Sequence, residues 1–368
     1  MSKKVSFEKI ANDLKEAFRF GSKSFIGVDI GLSSIKIAQI DKRKNGNYKL
    51  IHYVSMDVPE GALIEDEIHN QDQILEALKD AINEIGAENS DCCIGLSGPS
   101  TFARRLQLAG GTDEELRDQV MWEAEQYIPF NIDDSVLAHH IFGRNEGGGM
   151  DVLVVAAKNE IVENFKDIVE KVNLKVKVID LDSLAMINVF EVISHQKLKK
   201  DCSYIIMDIG AQNTNLVIYK NSRIIFVKEM DIGGLMITEE IQRQMGVNYS
   251  EAEDLKTNID ENGNLPEEVL DIIDEVLENF FAEVKKTIDF YLTSSSDESL
   301  TSCYVTGGGA LVPGLIEGLE ALLAMDVNVI NIFDKIDYDK KNIDEVDLEE
   351  IAYKGVVAFG LAMRDLSI

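Results

Sequence analysis

Short apolar runs alternate with polar segments through the first quarter of the chain. The strand-like runs are SFIGVDIG, SIKIAQI, YKLIHYVSM and CCIGLS, all between residues 24 and 97. Between the third and fourth runs, DQILEALKDAINEIG repeats its apolar residues at intervals of three and four, which predicts an amphipathic helix. Strands combined with such a helix indicate an α/β layered domain.

The stretch 101–176 has a different order of elements. Its pattern predicts a strand, a helix, two strands joined by the turn NEGGG, and a second helix. This order is typical of a small α+β module, so we expect an inserted subdomain at 101–176. After the apolar helical run LDSLAMINVFEVI, strand patterns begin again at Tyr204.

The chain contains the same supersecondary unit twice. FIGVDIGLSSIKIAQI (25–40) aligns without a gap with YIIMDIGAQNTNLVIY (204–219), so that Asp29 falls on Asp208 and Gly31 on Gly210. In each copy an apolar strand leads through a polar turn into another strand. This predicts a β-hairpin, whereas a P-loop would continue into a helix. A repeat in register predicts two similar lobes.

The two turns suit a polyphosphate, although either turn alone would also suit an ordinary hairpin. Glycine lets backbone amides approach an oxyanion, and neighbouring Ser, Asn or Thr side chains add donors. An aspartate in each turn suits hydrated Mg²⁺, which usually takes only one or two carboxylates. The candidates are Asp29 and Asp208 for the metal through water, and Gly31, Ser33, Ser34, Gly210, Asn213 and Thr214 for the phosphates.

A third segment, CYVTGGGALVPGLIEGLEALL (303–323), passes from an apolar strand through glycines into a helix. Gly307, Gly308 and Gly309 would let the backbone lie flat against a nucleotide, while the helix N-terminus favours phosphate. Alone, this pattern is a common loop. Together with the two turns it predicts a nucleotide site.

Composition narrows the class of partner. The chain has 66 acidic and 36 basic residues, a formal net charge of −30, and we therefore expect no nucleic acid as a partner. Four cysteines without CxxC spacing indicate a reducing, cytoplasmic compartment. No apolar run is long enough to span a bilayer. Residues 1–23 carry apolar residues at helical spacing among lysines, which predicts an amphipathic extension.

The three glycine-containing segments together resemble the actin-like ATPase superfamily, over nearly all of the chain after Ser24. The resemblance implies a two-lobed, duplicated ribonuclease H-like fold that binds ATP or ADP with Mg²⁺ between its lobes. Lys36 matches the lysine that reaches the β- and γ-phosphates. SEAEDLK (250–256) is similar to a helix that holds ribose and adenine, which implies contacts from Glu253 and Lys256; an exposed helical ion pair is the other interpretation.

The segment VIDLDSLAMINVF resembles the connecting helix on which relatives place an acid or a glutamine that orients the attacking water. Asp180 aligns best with that position and is our candidate catalytic residue. Asp182 lies two residues further on and is the alternative equivalent of that position. An acid at a helix N-cap is the structural alternative for either residue.

The run WEAEQYIPFNIDDSVLAHHI (122–141) resembles the PilM family of type IV pilus assembly proteins, and VVAFGLAMRDL (356–366) resembles the helix that ends its members. This implies an FtsA/PilM-type inserted subdomain. The expected division is an extension at 1–23, a first lobe at 24–100 with 177–200 and 355–368, the insert at 101–176, a second lobe at 201–240 with 300–354, and a helical subdomain at 241–299.

The resemblance also implies a function. It predicts a scaffold of a type IV pilus or related secretion machine at the cytoplasmic face of the inner membrane, with slow or no ATP hydrolysis. Its partner would be the N-terminal cytoplasmic tail of a PilN-like inner-membrane protein, which would lie in the groove between the first lobe and the insert. Membrane contact would be mainly indirect, and self-association is left open. The alternatives are an FtsA-like filament-forming division protein, a sugar or acetate kinase, and a pseudo-ATPase that binds nucleotide without turnover.

Overall fold

The structure is a computed structural model that describes residues 25–43, 46–144, 149–194, 198–257, 265–295 and 300–364. The expected extension at 1–23 lies outside the described residues, as do positions 365–368. Within the part of the chain that is described, no helix combines the length and the apolar character needed to cross a membrane.

The elements alternate between strands and helices along the chain. The strands are β1 (Phe25–Ile30), β2 (Ser34–Lys42), β3 (Tyr48–Asp57), β4 (Leu63–Ile64), β5 (Glu67–Ile68), β6 (Asp91–Leu96), β7 (Thr101–Leu108), β8 (Ser135–Arg144), β9 (Met150–Lys158), β10 (Lys175–Leu181), β11 (Ser203–Ile209), β12 (Thr214–Lys220), β13 (Arg223–Met230), β14 (Ser302–Thr306), β15 (Val327–Val329) and β16 (Asp337–Tyr338). The helices are α1 (Gln71–Ile85), α2 (Asp113–Tyr127), α3 (Asn159–Glu170), α4 (Asp182–Ser194), α5 (Leu235–Met245), α6 (Tyr249–Thr257), α7 (Glu267–Ser294), α8 (Leu315–Leu323), α9 (Leu348–Lys354) and α10 (Val356–Ala362).

The first lobe is built on a six-stranded sheet in the order β10-β6-β1-β2-β3-β16. Strands β1 to β3 form an antiparallel meander, and β6 and β10 continue the sheet in parallel beside β1. Helices α1 and α3 share a core with one face of the sheet, while α10 packs on the other face against Gly27. Because both faces are covered, all six residues of β1 are buried and, apart from Asp29, its sequence lacks polar residues.

The second lobe repeats this plan with a five-stranded sheet in the order β13-β12-β11-β14-β15. Its meander β11-β12-β13 matches β1-β2-β3 in direction and register, since Asp29 pairs with Lys36 and Asp208 with Asn215 across the equivalent hairpins. Helices α5 to α8 bury their apolar faces in one core with this sheet. The two meanders are the duplicated unit that the sequence repeat predicts.

The insert is a three-stranded antiparallel sheet in the order β7-β9-β8, with α2 packed on one face. Helix α2 begins at a capping box, in which the Thr112 hydroxyl accepts from the backbone N of Glu115 and the Glu115 carboxylate accepts from the backbone N of Thr112. The order of elements is the predicted strand, helix, strand, strand, helix.

The structure differs from the expected boundaries in two places. Helix α3, expected in the insert, buries Ile161, Phe165 and Ile168 in the first-lobe core together with α1. Strand β16, expected in the second lobe, pairs in parallel with β3 of the first sheet. In both cases the deciding contact is with a segment distant in sequence.

A third core joins the lobes. It combines residues of the first sheet, the second sheet, α4 and α10, and its largest fully buried side chains include Phe190, Tyr219 and Phe359. These features confirm the predicted two-lobed, duplicated α/β fold with an inserted α+β subdomain.

Candidate functional site

A cleft of about 690 Å³ lies between the two lobes. The turn after β1 and the turn after β11 form two of its walls, and the glycine-rich segment after β14 and helix α6 form the others. The carboxyl ends of β1 and β11 thus meet at one place, because the repeated meanders face each other across the cleft.

Most of the site residues predicted from the sequence come together in this cleft. Those that line it are Asp29, Gly31, Ser33, Ser34, Lys36, Asp208, Gly210, Asn213, Glu253, Lys256, Gly307, Gly308 and Gly309. They come from both lobes and from four segments that are widely separated in sequence. The contacts of these residues with a ligand remain predictions.

Two predicted residues lie outside the lining. Thr214 is fully buried, and its Oγ1 donates to the carbonyl O of Ile232 at 2.7 Å. Asp180 accepts from Nε of Arg364 at 2.6 Å through one oxygen and from the backbone N of Leu181 at 2.9 Å through the other. The structure thus gives Asp180 an ion pair as its partner, while Asp182 lines the cleft.

The two turns close in the same way. The backbone N of Gly31 donates to the carbonyl O of Ser34 at 3.1 Å, and that of Gly210 donates to the carbonyl O of Asn213 at 2.9 Å. A Cβ on Gly210 would lie 2.9 Å from that acceptor oxygen, which is closer than real Cβ atoms approach. The second turn therefore requires glycine at this position.

Three carboxyl groups, Asp29, Asp182 and Asp208, interact at the centre of the cleft. Burial raises the pKa of Asp208 to about 7, with the negative charge of Asp29 adding to the shift and Lys36 opposing it. Burial also raises the pKa of Asp182 well above its usual range, and both other aspartates raise it further. Oδ1 of Asp182 is buried without a hydrogen-bond partner among the described residues.

This donor set fits a hydrated divalent cation. Nζ of Lys36 lies 3.5 Å from Oδ2 of Asp29. In the described part of the chain, no three acidic, histidine or cysteine side chains are grouped so that they could hold a metal ion directly. Mg²⁺ often keeps several waters and uses one or two carboxylates, which agrees with Asp29 and Asp208 as ligands through water.

Helix α6 supplies a fixed pair at the other end of the cleft. Nζ of Lys256 donates to Oε1 of Glu253 at 2.6 Å and to Oγ1 of Thr238 at 2.8 Å, and Thr238 also donates to Glu253. Across from them, a Cβ on Gly307 would lie 2.3 Å from the carbonyl O of Ile209. The glycine segment is therefore pressed against the end of β11, as a flat platform requires.

Several lining residues have no motif in the sequence that could have revealed them. They include Ser97, Tyr249, Glu350 and Lys354. Burial raises the pKa of Tyr249 to about 12, and Glu253, Glu60 and Asp57 add to this shift. The sequence does indicate two further lining residues, namely Asp182 as the alternative to Asp180, and Gln212, which aligns with Ser33 in the repeat.

A second concave surface of about 1520 Å³, here called the basic groove, lies between the insert and the second lobe. Edge strands β7 and β13 and helix α7 border it, and residues 98–99 and Leu181 of the first lobe contribute to it. Its cationic lining residues are Arg104, Arg105, Lys220, Arg223, Lys228 and Lys286. Among the described residues, its acidic lining residues are Glu229 and Asp231. This described lining is cationic although the whole chain is strongly acidic.

An ion bridge crosses from the insert to the second lobe beside this groove. Oδ2 of Asp151 accepts from Arg105 at 2.6 Å and from Arg223 at 3.2 Å. Asp151 and Arg105 belong to the insert, whereas Arg223 begins β13 of the second lobe. One buried carboxylate thus neutralises only one of two guanidinium charges.

Duplicated lobes around a cleft lined by two matching turns define the actin-like ATPase fold, and solved structures agree. The structure described as the PilM-PilN type IV pilus biogenesis complex matches with a TM-score of 0.82 and 25% identity, over 94% of this chain and 98% of that one. The ethanolamine utilization protein EutJ from Carboxydothermus hydrogenoformans matches with a TM-score of 0.56 and 15% identity, over 92% and 88%.

The sequence comparison gives the family within this class. The model of the family described as type IV pilus assembly protein PilM matches residues 27–366. The chain belongs to this family. Among curated proteins, the cell division protein FtsA of Streptococcus pneumoniae is 21% identical over 347 residues, which cover 83% of this chain and 75% of FtsA.

Proposed function

We propose that this PilM-type protein binds ATP and Mg²⁺ in the cleft and acts as a scaffold in the assembly of a type IV pilus, at the cytoplasmic face of the inner membrane. The observation that carries the proposal is the meeting of both repeated turns, the glycine platform and the α6 pair around Asp29 and Asp208. Family membership supplies the biological setting.

Each group has a role that its position supports. The amides of the two turns and the ammonium of Lys36 bind the phosphates. Residues 307–309 lie against the base, and Glu253 and Lys256 contact the ribose and adenine. Bound Mg²⁺ would neutralise phosphate charge, held through water by Asp29 and Asp208.

Asp182 is the residue to which we assign the orientation of the attacking water. It lines the cleft, and its Oδ1 has no hydrogen-bond partner in the described part of the chain, whereas both oxygens of Asp180 already have partners. Burial and neighbouring carboxylates raise the pKa of Asp182, so the ionised carboxylate that could accept a proton is disfavoured in the ligand-free protein. This supports slow or absent turnover.

The partner that we propose is the N-terminal cytoplasmic tail of a PilN-type membrane protein, which would bind in the basic groove. The solved complex of a PilM with a PilN motivates the partner. The groove combines cations with Phe226 and with Phe290, which is 60% exposed. These features favour an extended segment with acidic and apolar side chains. Membrane attachment would then be mainly indirect.

Calorimetric titration with ATP·Mg²⁺ tests the cleft. We expect Lys36→Ala to weaken binding roughly tenfold or more, because a charge-assisted hydrogen bond contributes about 1.5–3 kcal/mol. Lys335→Ala, which removes an exposed lysine outside the cleft lining, is the matched control and should bind as the wild type does. Equal affinities for wild type and Lys36→Ala would contradict the assignment.

A synthetic peptide of the N-terminal tail of the PilN-type protein from the same genome tests the groove. Lys228→Glu should weaken its binding about tenfold, whereas Lys335→Glu, with the same change in net charge, should not. Unchanged binding in Lys228→Glu would place the tail elsewhere. Long ATP-dependent polymers in a sedimentation assay would instead favour the FtsA-like alternative.

A further inference from the structure

Glu229 of β13 connects the cleft to the basic groove. Its Oε1 accepts from Nδ2 of Asn213 at 3.0 Å, and its Oε2 accepts from the backbone N of Gly98 at 2.9 Å. Asn213 lines the cleft, and Gly98 lines the groove, as Glu229 itself does. The Glu229 carboxylate of the second lobe therefore holds Asn213 of the cleft and Gly98 of the groove. Gly98 belongs to the first lobe.

Gly98 is a fixed point in the backbone. Its φ is +96°, and a Cβ there would lie 2.8 Å from Cβ of Asp66, so both conformation and space require glycine. Its carbonyl O accepts from the backbone N of Thr101 at 2.9 Å, at the first residue of β7. The preceding Ser97 lines the cleft. A shift of Gly98 would therefore move the start of β7, which borders the groove.

The surroundings of Glu229 make its two hydrogen bonds important. Burial raises the pKa of Glu229, and the negative charges of Asp231 and Asp66 raise it further, while the Gly98 amide and Lys228 lower it. A carboxylate with these neighbours depends on its two donors for its position. If either Asn213 or Gly98 stops donating, the Glu229 carboxylate is held from one side only.

We propose that Glu229 couples nucleotide occupancy of the cleft to the shape of the basic groove. The inference rests on the proposed function, in which Asn213 contacts a phosphate. When the Asn213 amide turns to a phosphate oxygen, Glu229 loses its donor at Oε1 and is held by Gly98 alone. The coupling is reciprocal, so a segment bound in the groove changes the affinity for nucleotide by the same factor.

Glu229→Gln tests this role. Glutamine keeps the size of the side chain, but its amide nitrogen must face one of the two donors, so one hydrogen bond is lost. The affinity for the PilN-type tail peptide is measured calorimetrically with and without ATP·Mg²⁺. We expect the two affinities to differ by about fivefold or more in the wild type and by less than about twofold in the variant. Asp231→Asn, an acid of the same groove that bonds neither donor, should keep the wild-type ratio.

Hydrogen exchange at the Gly98 amide supplies a second readout without any peptide. We expect ATP·Mg²⁺ to change the exchange rate of this amide in the wild type and in Asp231→Asn, and to leave it unchanged in Glu229→Gln. The coupling is wrong if nucleotide binds the wild type but leaves the exchange rate of the Gly98 amide unchanged. It is also wrong if nucleotide changes this rate equally in Glu229→Gln. Either result leaves the proposed function standing. Failure of nucleotide to bind the wild type would overturn the proposed function as well.

Discussion

At the scale of single residues, the cleft holds carboxyl groups that repel one another when no ligand is bound. Asp208 has a pKa of about 7 in the folded protein, against 3.8 for an unperturbed aspartate. Between these two values the native state binds more protons than the unfolded state. The stability of the ligand-free protein should therefore fall as the pH rises through this window.

Asp208→Asn should remove this contribution. We expect urea unfolding in the presence of EDTA to show that the variant loses less stability than the wild type from about pH 4 to about pH 7. The difference between the two losses in the free energy of unfolding should be at most on the order of 4 kcal/mol. Asp337→Asn, on the exposed edge strand β16, controls for the loss of one charge. If wild type and Asp208→Asn lose stability equally, Asp208 is not strained in the native cleft.

Asp180 and Asp182 should respond differently to the same substitution. Asp182→Asn should lower single-turnover ATP hydrolysis about a hundredfold with little change in ATP affinity, if it orients the water. Asp180→Asn should leave hydrolysis unchanged and lower the free energy of unfolding by about 1–3 kcal/mol, since Arg364 loses its partner. The reverse pattern would return the catalytic assignment to Asp180.

The sequence repeat identifies the turn residues because it aligns the two hairpins, but it cannot assign each side chain to a face. Asn213 precedes β12 and reaches the cleft, whereas Thr214 begins the strand and points into the core. The same limit applies at the end of β10, where Asp180 pairs with Arg364, a residue far away in sequence. Strand alternation and distant partners decide these positions, and neither is visible in a motif.

At the scale of secondary structure, α10 packs more closely on its neighbours than its sequence shows. A Cβ on Gly360 would lie 1.9 Å from the carbonyl O of Ala185 in α4. A Cβ on Gly27 of β1 would lie 1.9 Å from the carbonyl O of Ala358 in α10. Both neighbours are backbone atoms, which cannot rotate away.

Gly360→Ala should therefore destabilise the protein, by about 1–3 kcal/mol or more, despite the higher helix propensity of alanine. Gly308→Ala is the matched control, because a Cβ there meets only carbons of Lys354 at 3.8 Å and stability should change little. The midpoint of urea unfolding measures both. A neutral Gly360→Ala would mean that α10 can shift on α4.

The insert is attached to the second lobe by the ion bridge at Asp151. Asp151→Asn should cost about 3 kcal/mol or more of stability, because two partly buried guanidinium groups lose their shared carboxylate. Glu283→Gln, which removes the partner of Lys286 at an exposed site, should cost less than about 1 kcal/mol. Similar losses in the two variants would show that the bridge contributes no more than a surface pair.

At the scale of the whole molecule, charge and cooperativity depend on residues that are far apart in sequence. The net charge of −30 indicates an acidic surface, yet six cations from β7, β12, β13 and α7 meet in the basic groove. Composition could not predict this groove, because only the fold brings these elements together. The duplicated lobes could be predicted, since each hairpin carries its own local pattern.

The core shared by the lobes should make them unfold together. Phe190 of α4 is fully buried, and its ring centroid lies 5.0 Å from that of Tyr304 and 5.4 Å from that of Tyr219, both in the second sheet. Phe190→Ala should cost about 3–5 kcal/mol and split one calorimetric transition into two, because each lobe keeps its own core. Phe290→Ala, at an exposed ring, should keep a single transition. A single transition in Phe190→Ala would mean that α10 and the remaining shared core suffice to hold the lobes as one cooperative unit.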